Sequence, residues 1–347
     1  MSEKQKLLDI IARFPRQTVL VVGDLVADEF VFGEIARVSR EAPVLILKHR
    51  ESRILPGGGA NAVYNLADLG ARVLPVGIVG DDAPGRALLR KFREKRIPTG
   101  AILVARDAAG GFFTTTKTRI LAGTVHGNRQ QVLRLDLEPS RILAAEHRRR
   151  IERLARRLAR RAQAVLISDY GYGAATPALA KAISTVQAPF HSRSRSARRN
   201  SRLLTVDSRY DIARYRGATA ATPNEPELEE IFHLRIGHDT RRLEQAGRAL
   251  LRRMKMQALL VTRGRDGMAL FERGRQTVHL PIFGSDQIAD VTGAGDTVIA
   301  VFTLALAAGA DFQQAARVAN FAGGIVVMKR GTATVTAEEL RQAVEGS

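Results

Sequence analysis

A doubly wound α/β fold, with a mostly parallel sheet flanked by helices and a small β-sheet inserted in it, is what this sequence predicts. Three observations carry the prediction. Short β-branched runs alternate with helical patterns along most of the chain. Two stretches, 29–48 and 112–136, break that rhythm with strand-rich sequence. The 347 residues, 45% of them hydrophobic, suffice for one large core with a small appendage.

Segments 18–22, 73–79, 164–168, 203–207 and 258–262 read as buried parallel strands. Helical spacing over 60–69, 84–95, 177–186, 226–232 and 241–254 predicts the helices that separate or follow them. Segments 29–48 and 112–136 contain no helical pattern and suit a small antiparallel sheet acting as a lid over the cleft. Residues 1–347 thus read as a single domain. The first 16 residues mix charged and apolar side chains as an amphipathic helix does, without the features of a signal peptide. No apolar run approaches the roughly 20 residues of a membrane helix, so no membrane partner is expected.

With no cysteine the chain forms neither disulfides nor thiolate zinc sites, which fits a reducing cytoplasm. A net charge of +19 invites a nucleic-acid reading. Much of the excess lies at 147–161, where Ile151, Leu154 and Leu158 recur at helical spacing, and in the polar tract 190–202. A solvated helix face and a mobile loop account for both, and contact with an anionic partner is the alternative. Only 5% of residues are aromatic and none is Trp, so stacking platforms for single strands are lacking and nucleic acid is not the expected partner.

The run Asp290-Val-Thr-Gly-Ala-Gly-Asp296 carries the most chemistry. Helical spacing begins at Ala294 and Gly309 supplies a stop. Gly293, Ala294 and Gly295 therefore stand at a helix N-terminus expected to be buried, whose free amides and dipole suit a phosphoryl group in transfer. Asp296, in the first turn, is placed to act as a base toward an acceptor hydroxyl, with its pKa expected to be lowered by the helix end. Complementing the dipole is the alternative role. No Gly-x-x-x-x-Gly-Lys-Ser/Thr occurs, which excludes a P-loop.

Other segments point the same way. Asp24 and Asp28 lie just past the first strand, where ligands of open α/β sheets bind, although Asp24 would equally cap a turn. Pro56-Gly-Gly-Gly-Ala-Asn61 opens a helix: Gly58 and Gly59 admit a ligand to the backbone and the Asn61 amide donates and accepts, or Asn61 caps the helix. Asn224 and Glu227 start a helix behind a proline. Thr262, Gly264 and Gly267 mark a turn after a strand, with an ordinary hairpin turn as the alternative to a ligand-binding one.

Together these segments resemble the ribokinase-like (PfkB) carbohydrate kinases, and over nearly the whole chain the heptose 7-phosphate kinases of lipopolysaccharide precursor synthesis. The stretches beginning at Ser39, Asn128, Ser168, Arg214 and Lys329 carry the second likeness. The resemblance implies a ribokinase-like fold and transfer of the γ-phosphate of ATP, with Mg²⁺, to the anomeric hydroxyl of a sugar phosphate. It makes Asp296 the catalytic base and Gly293, Ala294 and Gly295 the anion hole. Asp24, Asp28, Gly58, Gly59, Asn61 and Asp169 become sugar contacts. Asn224 and Glu227 would organise Mg²⁺ waters, while Thr262, Gly264, Gly267 and Asn320 would hold the nucleotide. Asp290, Thr292 and Gly331 would border a monovalent cation, K⁺. It also implies a homodimer formed through the lid. Lys117, Arg119, Arg129 and Arg134 would meet the sugar's distal phosphate, or else lie along a strand face.

Three departures set the chain apart. Tyr172 replaces the family's lysine in Asp-Tyr-x-Lys-Gly, Ser208-Arg209 replaces Pro-Lys after Asp207, and the tract 190–202 is added. The chain ends soon after the kinase region, so a fused nucleotidyltransferase unit is not expected. A kinase of another sugar or nucleoside remains an alternative, as does an idle homologue that binds anionic polymers.

Overall fold

The computed structural model describes residues 2–106, 112–123, 129–139, 143–186, 202–284, 290–329 and 331–347. Of the tract 190–202 only Arg202 falls among them. Chain order runs α1 (Glu3–Ile11), β1 (Thr18–Gly23), β2 (Leu25–Val38), β3 (Leu45–Gly58), α2 (Gly59–Asp68), β4 (Arg72–Gly80), α3 (Ala83–Glu94) and β5 (Ile102–Ala105). It continues through β6 (Thr116–Gly123), β7 (Gln130–Leu137), α4 (Ala145–Ala159), β8 (Ala164–Asp169), α5 (Pro177–Ser184), β9 (Leu203–Ser208), β10 (Ala220–Ala221) and α6 (Glu225–Phe232). The C-terminal part holds α7 (Thr240–Met254), β11 (Ala258–Thr262), β12 (Met268–Glu272), β13 (Val278–Leu280), α8 (Ala294–Ala307), α9 (Phe312–Val327) and α10 (Ala337–Glu345).

Nine strands form the main sheet in the order β13-β12-β11-β10-β9-β8-β1-β4-β5. From β5 to β11 neighbours are parallel, and β12 and β13 add an antiparallel edge, so the turn at 262–267 is that of a hairpin. Alternation along β1 explains the two helix layers. Val19 and Val21 pack with α2, α8 and α9, while Leu20 and Val22 pack with α4, α5 and α7. A strand apolar on both faces has to be covered on both faces. Helix α8 is apolar all round and buried from Asp296 to Ala307, as a helix between a sheet and other helices requires. Helix α4 buries Ile151, Ala155 and Ala159 and leaves most of its arginines exposed, so its basic face is turned outward.

The small sheet has the order β3-β2-β6-β7. It is mixed and not wholly antiparallel as expected: β2 and β6 come from separate segments and run parallel. It is also longer than 29–48 suggested. A single residue, Asp24, separates β1 from β2, and β3 runs directly into α2 at Gly58 and Gly59. The two crossings touch, because the Gly59 N–H donates to the Asp24 carbonyl at 3.0 Å. No helix among the described residues is long and apolar enough to cross a membrane.

Candidate active site

The glycine run forms the start of α8 as its spacing predicts. Gly293 is the N-cap, with φ +78°, and a Cβ there would come within 2.5 Å of Asn61 Nδ2. Both facts demand glycine. The Ala294 amide donates to Val291 O at 3.2 Å, which leaves the first-turn amides of Gly295 and Asp296 without an intrahelical acceptor. The expectation of a buried helix end needs correction. Gly295 is exposed, Gly293 and Ala294 are half-buried, and all three line a cavity of about 610 Å³. Short side chains leave that end open to an anion.

Asp296, only 3% exposed, sits one step inside this opening. Its Oδ2 accepts from Asn61 Nδ2 at 3.1 Å and its Oδ1 from the Tyr170 hydroxyl at 2.8 Å. Asn61 lies within the first turn of α2, which Gly58 caps, so its amide is free to reach α8. That amide also donates to Gly293 O at 3.2 Å, and its oxygen accepts from Asn65 Nδ2 at 3.1 Å. The carboxyl's pKa is raised to about 7, against the expectation of a lowered one. Burial is the largest cause; the bonds from Asn61 and Tyr170 pull it down and the nearby Asp28 pushes it up. Desolvation outweighs the helix end.

The residues expected on the sugar side divide into two groups. Asp28, on β2, accepts from Thr332 Oγ1 at 2.9 Å and pairs with Arg119, and Gly57 lies tight against its carboxylate. Gly58 and Gly59 form the turn into α2, and the Tyr170 ring lies close to the Cα of Gly58. These stand beside Asn61. Asp24 and Asp169 instead turn inward. Asp24 accepts from three backbone amides of one loop, Tyr170 at 2.8 Å, Tyr172 at 3.1 Å and Ala174 at 2.9 Å. Asp169 accepts from Ser208 Oγ at 2.9 Å, Tyr215 OH at 2.6 Å and its own loop at Gly171 N, 3.0 Å away. Neither lines the cavity, and neither do Asp28, Gly58, Gly59 or Asn61. In this structure the oxygens of Asp24 and Asp169 have fixed donors, most of them amides that hold the 170–174 loop.

Three basic residues of the small sheet do face the cavity: Lys117, Arg119 and Arg134. Each is paired, Lys117 with Asp136 at 3.3 Å, Arg119 with Asp28, and Arg134 with Asp136 through two bonds of 2.9 Å. Arg129 instead stacks over Phe32, 5.0 Å from its centroid. An incoming anion would have to exchange with carboxylates.

At the other end of the cavity stand Asn224, Glu227, Thr262, Gly264, Gly267 and Asn320. Asn224 and Glu227 form a reciprocal capping box at the start of α6, so the helix-start role is present whatever else they do. Gly267, at φ +76°, has no room for a side chain against the Leu280 carbonyl. Asn320 donates to Pro281 O at 2.7 Å. Thr222 Oγ1 is buried there with no partner among the described residues, an orphan that a polar ligand would satisfy. The Asp207 carboxyl also lines the cavity. Its pKa is pushed well above the usual carboxylate range by burial and by Glu227 and Asp296. Asp290 gathers the remaining candidates, accepting from Thr292 N at 2.9 Å and Gly331 N at 3.0 Å.

A doubly wound sheet, a smaller sheet inserted through two touching crossings, and a carboxylate at an open glycine-led helix are therefore assembled in one chain. The family model described as pfkB family carbohydrate kinase matches residues 17–339. The chain belongs to that family. As a pfkB carbohydrate kinase it is a phosphotransferase with a hydroxyl acceptor. It is 37% identical over 338 residues to the bifunctional protein HldE of Desulfatibacillum aliphaticivorans, covering 96% of this chain and 64% of that one. With HldE of Geobacter sulfurreducens it is 37% identical over 339 residues, 97% and 65% of the two chains. It thus spans just under two thirds of the length of these relatives. Among solved structures it is similar to Arabidopsis thaliana ribokinase complexed with ribose and ATP. The TM-score is 0.70 and the identity 19%, over 95% of this chain and 99% of that one. Escherichia coli phosphofructokinase-2 in complex with substrates and products gives a TM-score of 0.73 at 16% identity, again over 95% and 99%. At such identities the likeness shows the ribokinase-like fold.

Sequence reasoning missed three residues of this pfkB kinase. They are Tyr170, Asp207 and Thr222. Their places at the carboxyl ends of β8, β9 and β10 were the available signal.

Proposed function

We propose that this kinase transfers the γ-phosphate of Mg–ATP to the anomeric hydroxyl of D-glycero-D-manno-heptose 7-phosphate, with Asp296 as the base. The observation that carries the reading is the meeting of Asp296 and Asn61 beside the open end of α8. ATP lies along Asn224, Thr262, Gly264, Gly267 and Asn320, with its γ-phosphate at the amides of Gly293 to Gly295. The unpartnered Thr222 hydroxyl and the half-buried acids Asp207 and Glu227 suit a polar ligand carrying Mg²⁺, which neutralises phosphate charge when bound. The sugar lies against Asp28, Gly58, Gly59 and Asn61 and gives its proton to Asp296 as the bond to phosphorus forms. Asp290, whose carboxylate gathers the amides of Thr292 and Gly331, marks where K⁺ would sit beside the anion hole, a structural role.

Heptose 7-phosphate is supported by the identity with HldE over nearly the whole chain, and by Lys117, Arg119 and Arg134 facing the cavity. Such a kinase works in the cytoplasm, where ATP is held. The small sheet works as a lid, and its exposed Val38, Val44, Leu45, Leu133, Leu135 and Leu137 suit a homodimer formed through it. A second reading, a kinase of another sugar, draws on one observation. The basic residues facing the cavity already hold carboxylates, and Tyr172, in the place of the family's lysine, donates to Glu138.

The test is a kinase assay over sugar 7-, 6- and 5-phosphates and free sugars, with the product identified by NMR. Turnover confined to heptose 7-phosphate and a 1-phosphate product support the first reading. Preference for an unphosphorylated sugar supports the second.

A further inference from the structure

The residues on the sugar side of the site are closed off in this structure. Asp28, Gly58, Gly59 and Asn61 are absent from the cavity wall, whereas the nucleotide-side residues and Asp296 form part of it. Tyr170 and Arg119 stand between. The Tyr170 ring crowds Gly58, where an added Cβ would meet Cε2 at 3.1 Å and Cδ2 at 3.2 Å. Its hydroxyl donates to Asp296 Oδ1, and its own amide is held by Asp24. Arg119 covers Asp28 through their ion pair.

A base beside bound ATP has two possible acceptors, the sugar hydroxyl and water. In hydrolysis the water oxygen bonds to the γ-phosphorus, the bond from that phosphorus to the bridging oxygen breaks, ADP leaves with the electron pair, and the water proton passes to Asp296. Nothing in the anion hole distinguishes the two acceptors. Occupation of the base does. We infer that Tyr170 is a displaceable cap on Asp296: its phenol holds the acceptor's place at Oδ1 until a sugar moves it aside, so that water is not phosphorylated in the sugar's absence. The group suits the task. Burial and the neighbouring Asp296 hold the phenol's pKa well above its ordinary value, so it remains a donor and never competes as a base. The ring packs on the glycine turn where the sugar lies, so sugar and cap exclude one another sterically.

The inference rests on Asp296 being the base, and the experiment separates the two. ADP release from Mg–ATP is measured with no sugar present, a readout that does not depend on knowing the sugar. Tyr170→Phe keeps the ring and removes the donor, and Tyr170→Leu also empties the space over Gly58. Release is expected to rise on the order of tenfold in the first, the worth of a hydrogen bond to a charged group, and further in the second. In Tyr170→Phe/Asp296→Asn the rise should vanish. Parental rates in both single variants would overturn the cap, as would a rise that persists in the double variant. Full sugar-dependent turnover by Asp296→Asn alone would instead remove the base.

Discussion

Asn61, in the first turn of α2, donates to the Oδ2 of Asp296, in the first turn of α8, across 3.1 Å. Two helices on one side of the sheet thus meet at a single carboxylate, and the bond lowers a pKa that burial raises. Asn61→Asp replaces a donor with a second acid. The acid limb of kcat/KM should move upward by about one unit or more, because like charges at this range resist joint ionisation. A profile unchanged from the parent would show that Asn61 does not act through the base.

Asp296→Asn should lower kcat about 10²–10⁴-fold. The same substitution should stabilise the fold at high pH. The sign follows from the raised folded pKa: the group favours the folded state below its unfolded value near 4, and that contribution is lost as pH rises through about 7. At pH 8 the variant, free of a buried charge, should gain on the order of 4 kcal/mol over the parent, and near pH 4 most of the gain should disappear. Urea melts at the two pH values measure it.

In the parent enzyme kcat/KM should fall as pH drops through about 7, since a protonated Asp296 cannot accept the sugar's proton. Asp207 and Asp28 interact with the same group, so the apparent value belongs to the cluster. A rate flat from pH 5 to 8 would mean that Asp296 is ionised throughout.

Asp24→Ala leaves three amides of the 170–174 loop without their acceptor. A loss of roughly 2–4 kcal/mol is expected by denaturant titration. A variant of parental stability with only a raised sugar KM would return Asp24 to the sugar.

Gly293→Ala places a methyl 2.5 Å from Asn61 Nδ2 at a φ of +78°. The variant should melt lower and lose kcat together, because the residue it displaces is the one that holds Asp296. Intact turnover would show that the α8 N-terminus adapts to the intrusion.

How much of this was legible beforehand follows from what each residue signals. The parallel strands and their helices were, because β-branched runs buried on two faces and 3.6-residue spacing are local patterns. The glycines at 58 and 293 were, because their backbone conformations exclude other residues. Strands β12 and β13 escaped because an antiparallel edge closes through hydrogen bonds to β11 and not through a pattern of its own. The inward turn of Asp24 and Asp169 was not legible, because a carboxylate before a loop looks the same whether it faces a ligand or the loop's own amides. The sign of the Asp296 shift depended on the burial of the first turn of α8, which outweighs the bonds from Asn61 and Tyr170, 235 and 126 residues away in the chain.

The two strand crossings, one residue at Asp24 and none between Gly58 and Gly59, fix where this architecture tolerates change. Residues added at the far tip of the small sheet, between Val38 and Leu45, leave the register of both crossings unchanged. One residue inserted at either crossing would flip the alternation of an entire strand or rotate α2 by a third of a turn, carrying Asn61 away from its partner. Variation in loop length among relatives should therefore be missing from the crossings.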